Sequence, residues 1–119
     1  MSTLLIEGGR RLSGAVAVEG NKNAALPLLA ACLLTTEECV LTNMPRIGDV
    51  EVMARLLVDL GAEVDGIGSA TLRVHCPTLT NDEPAAALVG RLRGSVLLLG
   101  PLLARRGRAC LAPPEVCSA

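Results

Sequence analysis

Lys22 stands between Asn21 and Asn23, where the apolar stretch Ala15-Val16-Ala17-Val18 gives way to a run of strong helix formers from Ala24 to Leu34. Such a junction suits an anion. Asn21 and Asn23 can each cap the helix. If Asn23 does so, the unpaired N–H groups of the first turn and the positive end of the helix dipole lie beside the Lys22 ammonium, so a phosphate or carboxylate would be held by several donors together. A second cationic cluster, Arg91-Leu92-Arg93-Gly94-Ser95, precedes the apolar run from Val96 to Leu103. The planar guanidinium of Arg93 can grip an oxyanion through two bonds, a task lysine does less well. Arg91 reads as a solvated neighbour.

The elements that must position these side chains form an alternating series. Leu4-Leu5-Ile6 and Ala15 to Val18 are expected as strands flanking a Gly8-Gly9 turn, with Val40-Leu41 as another short strand. Pro27 falls close enough to the start of the first helix to cost little. Asp49 is expected to cap a helix whose Met53, Leu56, Leu57 and Leu60 share one face and which Gly61 stops. Ala62-Glu63-Val64 and Leu72 to Cys76 read as a hairpin around Gly66-Ile67-Gly68-Ser69. Leu72, Val74 and Cys76 share one face of its second strand, and Arg73 and His75 share the other. His75 therefore reads as a solvated strand residue, not a base. Asn81-Asp82-Glu83-Pro84 is a turn that opens a further helix. Ser95 to Arg105 reads as a mostly buried helix with Gly107 just past its end, and Arg105 and Arg106 complement its dipole. The order of elements gives an α/β class.

At 119 residues the chain has room for one small domain. Half of its residues are hydrophobic but none is aromatic, so the core must be built from Leu, Val, Ala, Ile and Met. The lack of aromatics argues against base-stacking recognition of nucleic acid. A formal net charge of −1 gives no basic footprint for nucleic acid or for an anionic membrane, so anion binding must be local. Residues 24–36 are uncharged but contain Pro27 and fall short of the ~20 apolar residues that span a bilayer. Glu7 precedes any long apolar region, which is unlike a signal peptide, and a cytoplasmic location is expected. Five cysteines without a Cys-x-x-Cys pair, and a single histidine, suggest neither a disulfide framework nor a zinc site. Four of the thiols are expected as small core residues.

Taken together, Gly14 to Pro27, Leu41-Thr42-Asn43-Met44-Pro45, Asp49-Val50 leading into Leu60-Gly61-Ala62, and Arg93 to Gly107 resemble the N-terminal part of the enolpyruvyl transferase family, in its branch that acts on UDP-N-acetylglucosamine. The sister branch, which makes 5-enolpyruvylshikimate 3-phosphate, would show Gly-Ser-Lys-Ser at the first block and Asn-Ala-Gly-Thr before the later arginine. This chain has Gly20-Asn21-Lys22-Asn23 and Arg93-Gly94-Ser95. The resemblance implies part of an inverted α/β barrel built from repeated strand-helix units. Residues 1–21 would be strands that pair with a C-terminal domain absent from this chain, and residues 22–119 would be an incomplete enolpyruvyl transferase domain.

The chemistry so implied is transfer of the enolpyruvyl group of phosphoenolpyruvate to the 3-hydroxyl of UDP-N-acetylglucosamine, with release of phosphate and no metal or cofactor. That is the first committed step of peptidoglycan precursor synthesis. Cationic donors must clamp the phosphate and carboxylate, and an acid must protonate the methylene carbon. By the resemblance Lys22 and Asn23 contact phosphoenolpyruvate, and Arg93 contacts the nucleotide sugar. The family presents its acid on a Pro-Gly-Gly-Cys (or Asp) loop followed by an arginine. Here Pro113 is followed by Pro114, Glu115, Val116 and Cys117. Val116 takes the acid's place and Cys117, the candidate acid, falls one residue late. Proline and glutamate replace both glycines, and the downstream arginine is missing. The family continues well beyond residue 119, so the chain is expected to be an inactive fragment. The competing reading is a non-catalytic remnant that at most associates with a full-length homologue, or with itself, through exposed apolar surface.

Overall fold

The computed structural model describes residues 2–112. Helix α1 (Lys22–Ala31) runs into a 3-10 turn at Cys32–Leu34 and is followed by strand β1 (Cys39–Leu41), helix α2 (Gly48–Asp59) and the hairpin strands β2 (Glu63–Asp65) and β3 (Leu72–His75). A short helix α3 (Ala86–Val89), a 3-10 segment at Arg93–Leu98 and helix α4 (Leu99–Arg106) complete the described chain. The three strands form one antiparallel sheet in the order β1-β3-β2, with Val74 of the central strand facing Cys39 on one side and Val64 on the other.

The expected alternation in β3 holds. Leu72 and Val74 are buried while Arg73 is exposed and reaches Glu38 across the sheet surface. Helix α2 buries the one-face set read from its period: Met53, Leu56 and Leu57, together with Leu60 just past its end, are wholly buried. They meet Leu29 and Leu33 from the α1 region, Leu72 and Val74 from the sheet, and Leu98 and Leu102 from the α4 region in one core. Aliphatic side chains fill it together with Met44, Met53, Cys32 and Cys76, as a chain without aromatics requires.

Several expectations are corrected. Residues 2–20 contain no strand, and Leu4, Leu5, Ile6, Leu12, Val16 and Val18 lie between 77% and 92% exposed. A strand exists only through its ladder, and no described strand pairs with these residues. Asp49 is not a cap; Ile47 holds the cap position of α2, and Asp49 lies in the first turn. Pro27 is the sixth residue of α1. It removes the N–H that would bond to the carbonyl of Asn23 in a second helical turn. The expected helix from Ser95 to Arg105 is divided at Leu99, because Pro101 has no N–H for the Leu97 carbonyl and an α-ladder can resume only with proline in its first turn. Cys32 and Cys76 are buried, but Cys39 is partly exposed and Cys110 exposed, so only two of the described thiols belong fully to the core. Among the described residues no helix is long and apolar enough to cross a membrane.

Candidate functional site

The N-terminus of α1 is fixed by residues outside it. Asn21 is the cap: its backbone is extended and its side-chain oxygen accepts the N–H of Asn23 at 2.7 Å. Of the two asparagines open to this role, the chain uses the earlier, so Lys22 becomes the first helical residue and Asn23 the second. The segment entering the helix passes against the β1–α2 loop. Asn43, at φ 54°, adopts the left-handed conformation that asparagine tolerates, and its side-chain amide donates to the Val18 carbonyl at 3.0 Å. A Cβ on Gly20 would lie 2.0 Å from the Asn43 carbonyl oxygen, so only glycine permits this approach. Two of the blocks that carry the family resemblance thus meet in space to set the start of α1.

The Arg91–Gly94 segment approaches from the other side. Leu92 is extended and 5% exposed, and it anchors in the core while Arg91 and Arg93 remain exposed. In an extended segment neighbours point to opposite sides, so burying Leu92 directs both arginines outward together. A Cβ on Gly94 would come within 2.9 Å of Leu26 Cδ1 on α1, which marks how closely this loop lies on the helix.

Between them lies a cleft of about 540 Å³ lined by Lys22, Asn23, Asp49, Arg91 and Arg93, with Leu26, Pro27 and Leu97 among its apolar walls. Lys22, the only lysine of the chain, places its Nζ 3.2 Å from Asp49 Oδ2, and the two side chains are 49% and 41% exposed. Among the described residues neither Arg91 nor Arg93 is paired with a carboxylate. Three cationic side chains therefore face one carboxylate, at the N-termini of two packed helices, and the excess charge suits a ligand carrying more than one negative charge.

All three described binding candidates from the sequence, Lys22, Asn23 and Arg93, line this one cleft. Cys117 lies outside the described residues. Two lining residues depart from the sequence expectation. Asp49 pairs with Lys22 and does not cap α2, and nothing in their sequence separation announces the meeting of two helix starts. Arg91 lines the cleft beside Arg93 and is more than a solvated neighbour, a placement that the Arg-Leu-Arg alternation signals. His75 stands apart, its Nδ1 4.0 Å from Glu63 on the neighbouring strand. Arg105 and Arg106 are not free helix-end charges. Arg105 donates to the carbonyls of Leu33, Cys76 and Pro77, and Arg106 to that of Leu79, so both tie α4 to neighbouring loops. The Cys32 thiol is pushed up to about 12, first by burial and then by the neighbouring Cys39, and is chemically quiet.

Sequence and fold are shared with known proteins. The family model described as EPSP synthase (3-phosphoshikimate 1-carboxyvinyltransferase) matches residues 6–112. A UDP-N-acetylglucosamine 1-carboxyvinyltransferase of Gluconacetobacter diazotrophicus is 46% identical over 120 aligned positions, covering 99% of this chain and 28% of the relative. The enzyme of the same name from Desulfosudis oleivorans is 43% identical over 118 positions, with the same coverage. The chain thus spans little more than a quarter of the length of these relatives. The crystal structure of the enolpyruvyl transferase NikO from Streptomyces tendae superposes with a TM-score of 0.71 at 33% identity, covering 86% of this chain and 24% of that one. With the family model matched over nearly the whole chain and the fold shared with an enolpyruvyl transferase, the chain belongs to the EPSP synthase family of enolpyruvyl transferases.

Proposed function

We propose that this chain supplies the first part of an enolpyruvyl transferase site that moves the enolpyruvyl group of phosphoenolpyruvate to the 3-hydroxyl of UDP-N-acetylglucosamine in the cytoplasm, releasing phosphate for peptidoglycan precursor synthesis. The observation that carries this reading is the single cleft shared by Lys22, Asn23 and Arg93. The family model bears the name of the shikimate reaction, but the relatives at 43% and 46% identity bear the nucleotide-sugar name, which favours that acceptor. In this reading the Lys22 ammonium and the open end of α1 hold the phosphate or carboxylate of phosphoenolpyruvate, and charge leaving with the phosphate is stabilised there. Asn23 helps frame the two substrates. Arg93 grips the nucleotide sugar through its guanidinium fork.

The cleft is open to solvent, and the chain spans little more than a quarter of the length of its relatives. The isolated 119-residue chain is therefore inactive, and residues 1–21, with their row of exposed aliphatic side chains, pair with the remainder of a longer protein. The test joins residues 1–112 to the remainder of the Gluconacetobacter relative and follows phosphate release from the two substrates. Lys22→Ala should lower turnover by on the order of 10²-fold, the scale of losing a donor to developing charge. Arg93→Ala should raise the KM for the nucleotide sugar, and Arg73→Ala, on the solvated face of β3, should change little. A Lys22→Ala hybrid within about threefold of the parent would sink the assignment.

A further inference from the structure

Asp49 is an unexpected neighbour for a site that takes anions. It projects from the first turn of α2 to Lys22 at 3.2 Å, it lines the same cleft as Arg91 and Arg93, and among the described residues it is the ionic partner of the chain's only lysine. We propose that Asp49 is a specificity-determining residue: it is the resident counter-ion of Lys22 and weakens binding of simple anions, so that only a ligand with further contacts in the cleft competes for the ammonium. This rests on reading the cleft as an anion site.

Two routes lead to the same sign. If the ammonium must leave Asp49 to grip the ligand, the ion pair has to be broken; at this exposure that costs a factor of up to about five. If one ammonium with three donors holds both groups, the ligand and the carboxylate sit about 5–6 Å apart. Their repulsion in a water-like dielectric then weakens binding about threefold per unit of ligand charge, before salt screening. The opposing effect, restraint of the lysine stem by Asp49, would make the carboxylate a helper instead. Loss of Asp49 then distinguishes the two by the direction of the change.

The full 119-residue chain is labelled with 15N at lysine, which places label on Lys22 alone. Its amide and ammonium signals are followed while inorganic phosphate is added to the parent, Asp49→Asn, Asp49→Ser and Asp49→Glu. Asn and Ser keep a polar side chain in the first helical turn, and the melting curve of each variant is recorded beside the titration. We expect both uncharged variants to bind phosphate at least threefold more tightly than the parent, and Asp49→Glu to stay near it. Equal or weaker binding by Asn and Ser variants would overturn the counter-ion role while leaving the anion site standing. If phosphate moves the Lys22 signals in none of the four proteins, the anion site fails, and the role of Asp49 with it.

Discussion

Arg105 offers the sharpest test of how tertiary contacts outweigh local electrostatics. On the sequence it is a charge in the last turn of a helix, where interaction with the dipole contributes about 0.3–1 kcal/mol. In the fold its Nη1 lies 3.0 Å from the Leu33 carbonyl and 2.8 Å from that of Cys76, and its Nη2 lies 3.1 Å from that of Pro77. One guanidinium thus joins the end of the α1 region, the end of β3 and α4. A hydrogen bond from a charged donor contributes about 1.5–3 kcal/mol when buried, and taking about 1 kcal/mol for each of these half-exposed bonds gives about 3 kcal/mol in all. Arg105→Ala should therefore lose about 3 kcal/mol in urea unfolding. Far-UV circular dichroism is the probe, since the chain has no tryptophan or tyrosine. Arg105→Lys keeps the helix-end charge but not the fork, and should lose more than half as much. A loss below about 1 kcal/mol for alanine, with lysine equal to the parent, would show that the dipole accounts for the residue and that the tether contributes nothing.

Three further outcomes concern the helix cap and the thiols. Asn21→Ala should cost about 1 kcal/mol, the usual effect of removing an N-cap, whereas Asn23→Ala, whose backbone N–H still reaches Asn21, should leave the unfolding midpoint unchanged or raised; the reverse order would mean that Asn23 is the cap. Iodoacetamide at pH 8 should label Cys110 well before Cys32, as mass spectrometry of timed digests will show. Because burial raises the Cys32 thiol from 9.0 to about 12, the folded chain keeps a proton that the unfolded chain gives up. Stability is unaffected by this group below pH 9 and falls as pH rises from about 9 to 12, with a slope of at most about 1.4 kcal/mol per pH unit. Replacing Cys32 by Ala should abolish that part of the alkaline loss.

Much was legible in the one-dimensional chain because it depends on neighbours in sequence. The apolar period of Met53, Leu56, Leu57 and Leu60, the alternation of Leu72, Arg73 and Val74, and the glycine-rich hairpin turn are local patterns, and each became the element it announced. Lys22, Asn23 and Arg93, which line one cleft, stand out in the chain for another reason: their blocks resemble a family's in order. What the chain could not disclose were relations between distant segments. Proximity of Asp49 to Lys22 requires α1 and α2 to bring their N-termini together, and the reach of Arg105 to three carbonyls requires α4 to lie across two loops. The expected strands near residues 4–6 and 15–18 failed from the same cause, since alternation makes a segment fit for a ladder but only another strand supplies its hydrogen bonds. The sequence by itself determined which residues are apolar, which can turn and which can hold an anion; tertiary structure alone decided which charges meet, because a contact between segments depends on packing of the core that lies between them.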